Sequence, residues 1–487
     1  MRLGSFDTVL WTRILGGLLI GLLGGCDSGR EILPESAILQ VITPSPEGAA
    51  NEAQPLIRWF SGQSAPTYRV SLYADQAMTQ LVEQAEVEDL DHRCQSTLPD
   101  NGVFWLRIEG LDSDGNPMMA TPLSRFRVRI PPQPMPNIEI LKFDPARTQR
   151  GYRLFNLFDR DRPDGEPFAG GTLLLINEVG EIVWWWRDAA SRSTGDVRVL
   201  ENTNLLVENM RDNLRRAVEM DWDGNIIWQS REGASVHHEV SVGPQGHTMY
   251  LHFVAQDVNG VSYEGDGIEI VNRDTDAVIW TWNSFDHIST DEVDEQDIER
   301  DGLSGLGRDW THSNAVVWDE ARSIIWLSVR ALDRVIGIDY PSGNIRVTLG
   351  ENGLGGEGLM SHQHAPEVQE DGSLLLFDNG NRYDPPRSRV TEILWDETAG
   401  TVTQPYVFDL PPELLAFALG DADRMPNGNI LAVPGTIGRI VEIDTVRQEI
   451  VWDMHAEGAS VGRDWWIYRA ELVQPNEIPD GVLPFDD

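Results

Sequence analysis

Between residues 170 and 454 the chain repeats one short pattern. An apolar run leads into a turn of Asp, Asn or Gly, a second run follows, and Trp or another hydrophobic residue closes the unit. GGTLLLINEVGEIVWWW, NTNLLVENM with MDWDGNIIWQS, and DGIEIVNRDTDAVIWTW are the first three. RVIGIDYPSGNIRVTLG, DGSLLLFDNG with SRVTEILWDE, and NGNILAVPG with GRIVEIDTVRQEIVWDM complete the set. Short alternating runs of this kind suit half-buried strands, and no amphipathic helical stretch of useful length competes with them. The spacing is irregular, roughly 40 to 70 residues, but six such units call for a six-bladed β-propeller over residues 137–474. The repeated tryptophans are expected to pack blade against blade.

Upstream, PLIRWFSG, YRVSLYAD, GVFWLRIEGLDSDGN and SRFRVRI alternate in the same way without repeating. They predict a small β-sandwich over 57–130, similar to fibronectin type III modules. PPQPMP at 131–136 marks the boundary. The fold class is therefore all-β. Residues 27–56, rich in Pro, Glu, Ser and Ala, read as a tether, and 475–487 as a C-terminal tail.

The first 26 residues read as a leader. Arg2 and Arg13 precede ILGGLLIGLLGG, a run short for a membrane span, and LGGC at 23–26 resembles a bacterial lipobox. Cys26 is thus expected to carry lipid, holding the protein on the periplasmic side of a bacterial membrane, inner or outer, with secretion as the alternative. Cys94 would then have no disulfide partner within the chain. The chain carries 78 acidic against 38 basic residues, and Lys142 is its one lysine. A net charge of −40 repels nucleic acid and excludes a lysine-rich phosphate cradle.

Propeller ligands usually meet the first strand of each blade. Three of these strands open with polar residues: HHEVSVGPQG, THSNAVVWDEA and QHAPEVQEDG. Aligned on Gly246, Ala321 and Gly372, nine positions back stand His237, His312 and Gln363, and eight back stand His238, Ser313 and His364. Strict alternation would put His312 and His364 on opposite faces, so a bulge is needed to bring them together. Spacing leaves His237 and His238 equivalent. A turn centred near Ala321 sets Arg330 opposite His312, and Asn314 shares the face of His312. Arginine suits a planar, multi-oxygen anion.

HHE (237–239), DWTHSN (309–314), SVR (328–330) and SHQHAPEVQEDGSLLLFDNG (361–380) also occur in a family-like order. SRVTEI (388–393), ALGDADRMPNGNIL (418–431) and YRAELV (468–473) extend it to the C-terminus. Over about 140–473 the chain resembles the bacterial arylsulfate sulfotransferases (ASST), six-bladed enzymes that do not use adenosine-based sulfate donors. The resemblance implies that His364 takes a sulfuryl group from an aryl sulfate donor and passes it to a phenolic acceptor. Arg330, Asn314, His312 and one of His237 and His238 are then its companions, and no cofactor or metal is required. Well-known members carry a disulfide between the arginine and nucleophile segments; here that stretch, 331–363, has no cysteine.

Three other readings compete. Three convergent histidines, with Glu239, Asp309 or Asp378, could make a zinc hydrolase, although Arg330 aimed at the same spot opposes a cation. Tryptophan-rich blades occur in quinone dehydrogenases, but the adjacent cysteine pair is missing. A binding or scaffold propeller would hold a sulfate ester without turning it over.

Overall fold

The computed structural model of the protein describes residues 39–158, 171–188, 191–211, 214–293, 298, 304–460 and 463–485. The leader at 1–26, with Cys26, and the first part of the expected tether lie outside them. The described residues form strands and short 3-10 turns.

The sandwich begins at Leu39 rather than at residue 57. Strand Leu39–Thr43 pairs with Leu56–Ser61, which pairs with Asp91–Arg93. The facing sheet is built mainly on Val103–Leu111, Thr67–Tyr73 and Leu81–Val87. Leu39, Val41, Trp59, Tyr68, Leu106 and Phe126 fill the space between the sheets. The early strand is missed from sequence because its five residues, LQVIT, sit in a Pro- and Glu-rich context that outweighs a single alternation.

Six sheets follow, and each of the six sequence units falls in its own blade. The innermost strands, blades two to six in order, are Ser191–Val199, Val236–Val242, Ser313–Asp319, His364–Val368 and Asp421–Arg424. Blade one takes its inner strand, Ala470–Val473, from the end of the chain, paired antiparallel with Tyr152–Leu157. Blade six takes an extra outer strand, Asn137–Phe143, from the beginning of the propeller. The ring is thus closed at both rims by segments far apart in sequence.

Tryptophans stitch neighbouring blades, as their recurrence predicts. The Trp184 indole donates to the Trp222 carbonyl at 3.0 Å, with the two rings edge to face at 4.8 Å. Trp228 donates to Asp276, Trp282 to the Gly343 carbonyl and Trp452 to the Glu178 carbonyl. Trp326 and Trp395 meet edge to face at 4.8 Å. The hydrogen bonds give these indoles polar partners across the blade seams, and the two edge-to-face pairs add aromatic contact there.

The sandwich is bonded to blade one. Asn51 donates to the Ile182 carbonyl and accepts from the Ile182 N–H, both at 2.9 Å. The tail returns to the same junction, where Arg129 bonds the carbonyls of Val183 and Val482 and Arg127 bonds that of Pro484.

Candidate active site

The three histidine-bearing inner strands share one irregularity. Pairing register slips between His237 and Val240, between Ser313 and Ala315, and between His364 and Glu367. Beside these bulges the backbone turns left-handed, with φ of +58° at His238, +46° at His312 and +48° at Ala365. Such conformations are uncommon for residues with a Cβ, and they cluster where side chains must be aimed rather than merely packed. The bulges absorb the one-residue mismatch read in the sequence.

His364 is buried at the start of its strand. Its Nδ1 faces two oxygens, Asn379 Oδ1 at 2.6 Å and the His362 carbonyl at 3.1 Å. The Asn379 amide cannot be turned around, because its Nδ2 already donates to the carbonyls of Ala416 and Leu419, each at 2.8 Å. Nδ1 therefore carries the proton and Nε2 the lone pair. Burial, and next the positive charge of Arg330, hold the ring well below the usual histidine range. His364 is neutral at neutral pH, with a defined nucleophilic nitrogen.

Arg330 lies one residue beyond its strand, in a short turn Arg330–Leu332. The pairing of this hairpin ends at Ser313 with Val329, so His312 and Arg330 are the next residues on the two strands. The Ala331 N–H donates to the Thr311 carbonyl and closes that end of the hairpin. The Arg330 charge also bears on His362, which burial pushes down to about 3.

His312 has its Nδ1 2.6 Å from Asp309 Oδ2, while its own N–H donates to Asp309 Oδ1 at 2.9 Å. The structure separates the two histidines that spacing left equivalent. The His238 ring lies 5.2 Å from His312 and 5.8 Å from Tyr468. His237 instead stacks on Phe253 at 4.0 Å. His238 belongs to the histidine cluster, with His237 behind it.

Asn314 is fully buried, and its Nδ2 donates to the Gln363 carbonyl at 2.8 Å, tying blade four to the residue before His364. Its Oδ1 has no hydrogen-bond partner among the described residues. Its backbone carbonyl accepts from the Tyr468 hydroxyl at 3.0 Å and from Arg469 at 3.1 Å.

Of the carboxylates of the zinc reading, Asp309 is taken up by His312 and the other two are engaged elsewhere. Glu239 meets Arg198 and Arg469, and Asp378 meets Arg389 and Tyr383. Among the described residues no group of three or more His, Cys, Asp or Glu is arranged to hold a metal ion. The 331–363 stretch forms outer strands of blade four. There Asp333 accepts the His362 N–H at 2.7 Å and meets Arg382 at 3.3 Å, a polar tie in a segment without cysteine.

Sequence reasoning missed Asn379, Asp266, Tyr468 and Arg469 as members of the site, and Asp309 as the partner of His312. Asn379 lies inside a strand-ending FDNG that reads as turn chemistry, and only the fold sets its amide against His364. Replacing Asn379 with alanine leaves only the longer contact to the His362 carbonyl to hold the His364 tautomer and ring. The expected loss in turnover is roughly 10–100-fold, the usual effect of removing a residue that orients a reactive imidazole. Steady-state kinetics beside a melting curve check this: an unchanged kcat in a folded variant removes Asn379 from the site.

A family model described as Arylsulfotransferase (ASST) matches residues 170–469. No curated protein matches the chain. Among solved structures, the chain is similar to a protein of unknown function from Bacteroides caccae, with 12% identity and a TM-score of 0.44, over 66% of this chain and 98% of that one. TolB from Acinetobacter baumannii is similar at 12% identity and a TM-score of 0.40, over 75% of this chain and 78% of that one. The family match spans more than half of the sequence, from blade one through the clustered histidines to Arg469, and on that extent the chain belongs to the arylsulfotransferase family.

Proposed function

We propose that the protein moves a sulfuryl group from a phenolic sulfate ester to a phenolic acceptor through a sulfohistidine on His364, without an adenosine-based donor. One observation carries this reading: a buried, neutral imidazole with Nδ1 locked by Asn379 and Nε2 bare, under the charge of Arg330. In the first half-reaction Nε2 forms an N–S bond while the ester S–O bond breaks, and the departing phenolate takes a proton from a neighbouring imidazole. In the second, the acceptor phenol loses its proton, its oxygen forms the new S–O bond, and the N–S bond breaks. The guanidinium suits the sulfuryl oxygens, whose charge persists through both transition states. A covalent intermediate lets donor and acceptor visit one channel in turn.

Turnover of a chromogenic aryl sulfate, with and without added phenol, tests this. Parallel double-reciprocal plots and a burst of released phenol from enzyme and donor alone are the expected results. Absence of turnover with every aryl sulfate tried, despite tight binding, would instead support a binding propeller.

A further inference from the structure

His237 and His238 are consecutive, so in a regular strand their side chains would point to opposite faces. The bulge after His237 and the left-handed backbone at His238 break that alternation and bring the two Nδ1 atoms to 2.7 Å. Stacking on Phe253 fixes the plane of His237, and its Nε2 lies 3.2 Å from Asp266 Oδ1. Asp266 is anchored in turn, because Thr311 Oγ1 and the Ser313 N–H each donate to its Oδ2 at 2.6 Å. Thr311 and Ser313 flank His312, so this carboxylate from blade three also grips the backbone that presents His312.

The chain of contacts selects tautomers. A carboxylate facing His237 Nε2 keeps the proton on that nitrogen, leaving Nδ1 to accept from His238 Nδ1–H. His238 Nε2 is then the bare nitrogen. Around it stand His237, His312, Arg215, His364 and Tyr468; burial first, then its histidine neighbours and Arg215, disfavour a lasting charge on this ring. His312 is placed differently, with the Asp309 carboxylate 2.6 Å from its Nδ1. Two imidazoles 5.2 Å apart thus face different partners, one a second imidazole and the other a carboxylate. Such divergence marks an acid and a base in one site.

We propose that Asp266 and His237 are positioning residues that make His238 the base for the acceptor phenol, while His312, backed by Asp309, protonates the departing phenolate. This assignment rests on the sulfuryl-transfer reading above. In the first half-reaction the proton on His312 Nε2 passes to the phenolate oxygen as the S–O bond breaks. In the second, the acceptor O–H proton passes to His238 Nε2 as the acceptor oxygen takes the sulfuryl group from His364. The proton on His238 Nδ1 shifts to His237 Nδ1, so the positive charge comes to rest beside Asp266. Its return along the same path, and from His238 Nε2 to His312 Nε2, resets the site with no net proton gained or lost.

The test separates the half-reactions in His237→Phe, which keeps an aromatic ring over Phe253 and leaves the bonds from Thr311 and Ser313 to Asp266 in place. Rapid-quench measurement of the donor burst is expected to change less than about threefold, while transfer to an ordinary phenol slows by roughly 100-fold, the scale of a lost general base. The defect should shrink as the acceptor phenol is made more acidic, because a phenolate needs no base. A merely structural lesion would not follow acceptor acidity. Equal loss in both half-reactions, or a defect independent of acceptor acidity, overturns the assignment, as does full activity in the variant. Failure of the wild-type protein to transfer sulfuryl groups at all would strike the proposed function itself, a distinguishable result.

Discussion

His364→Asn is expected to abolish both turnover and covalent labelling while leaving the propeller folded. Removing a covalent nucleophile from an otherwise intact site costs on the order of 10⁶ in kcat elsewhere, so the residual rate should reach the detection floor. Asparagine keeps a polar group toward Asn379 but has no nitrogen lone pair able to attack sulfur. In the wild-type protein a donor-only incubation should add one sulfuryl group to the peptide containing His364. The digest must be kept from acid, because the N–S bond is expected to be labile there. His362 is the internal control: it lies two residues away and feels the same Arg330 charge, yet its N–H is tied to Asp333. Its loss should be milder. Label that persists in His364→Asn, or that maps to His238 or His312, would reassign the nucleophile without touching the fold. Because burial and Arg330 hold His364 well below its ordinary range, the burst should show no acid limb near the usual histidine titration.

Arg330→Lys is expected to lose nearly as much activity as Arg330→Ala. Lysine keeps the charge but replaces a planar fork with a point donor, and the sulfuryl group presents several oxygens at once. Preorganised charge stabilisation of this kind is worth about 3 kcal/mol, or roughly a hundredfold or more in rate. The alanine substitution also removes a positive charge that disfavours protonation of His364, so part of its loss should grow as pH falls. The pH profile of the burst in both variants measures that component. Wild-type rates in both would remove Arg330 from the site.

The architecture was legible because it repeats. Any one of the six units is an unremarkable hairpin, but a strand-turn-strand pattern that cannot bury its apolar face alone implies stacked neighbours. The hairpin count set Arg330 almost opposite His312, and the Ser313–Val329 pair beside them is reached only through the bulge between Ser313 and Ala315. What was not legible depends on backbone torsion and on contacts between blades. No spacing rule separates His237 from His238, since a left-handed residue and a bulge decide which ring enters the cluster. Asn379 and Asp266 act on rings from other strands, and Tyr468 reaches Asn314 across 154 residues of chain. The early sandwich strand at Leu39–Thr43 was hidden for a different reason: five residues are too few to outweigh the composition around them.

The closing strand of blade one has a consequence in time. Ala470–Val473 pairs with Tyr152–Phe155, and immediately before it come Tyr468 and Arg469, whose side chains hold the Asn314 carbonyl. His238, His312, Arg330 and His364 are all synthesised earlier, yet the ring that faces them toward one another is shut only by the chain's final segment. Bringing together strands so distant in sequence is an entropically late event, slow relative to forming any single hairpin. A chain that stops before Ala470 is therefore expected to carry these histidines without the strand that closes the ring around them.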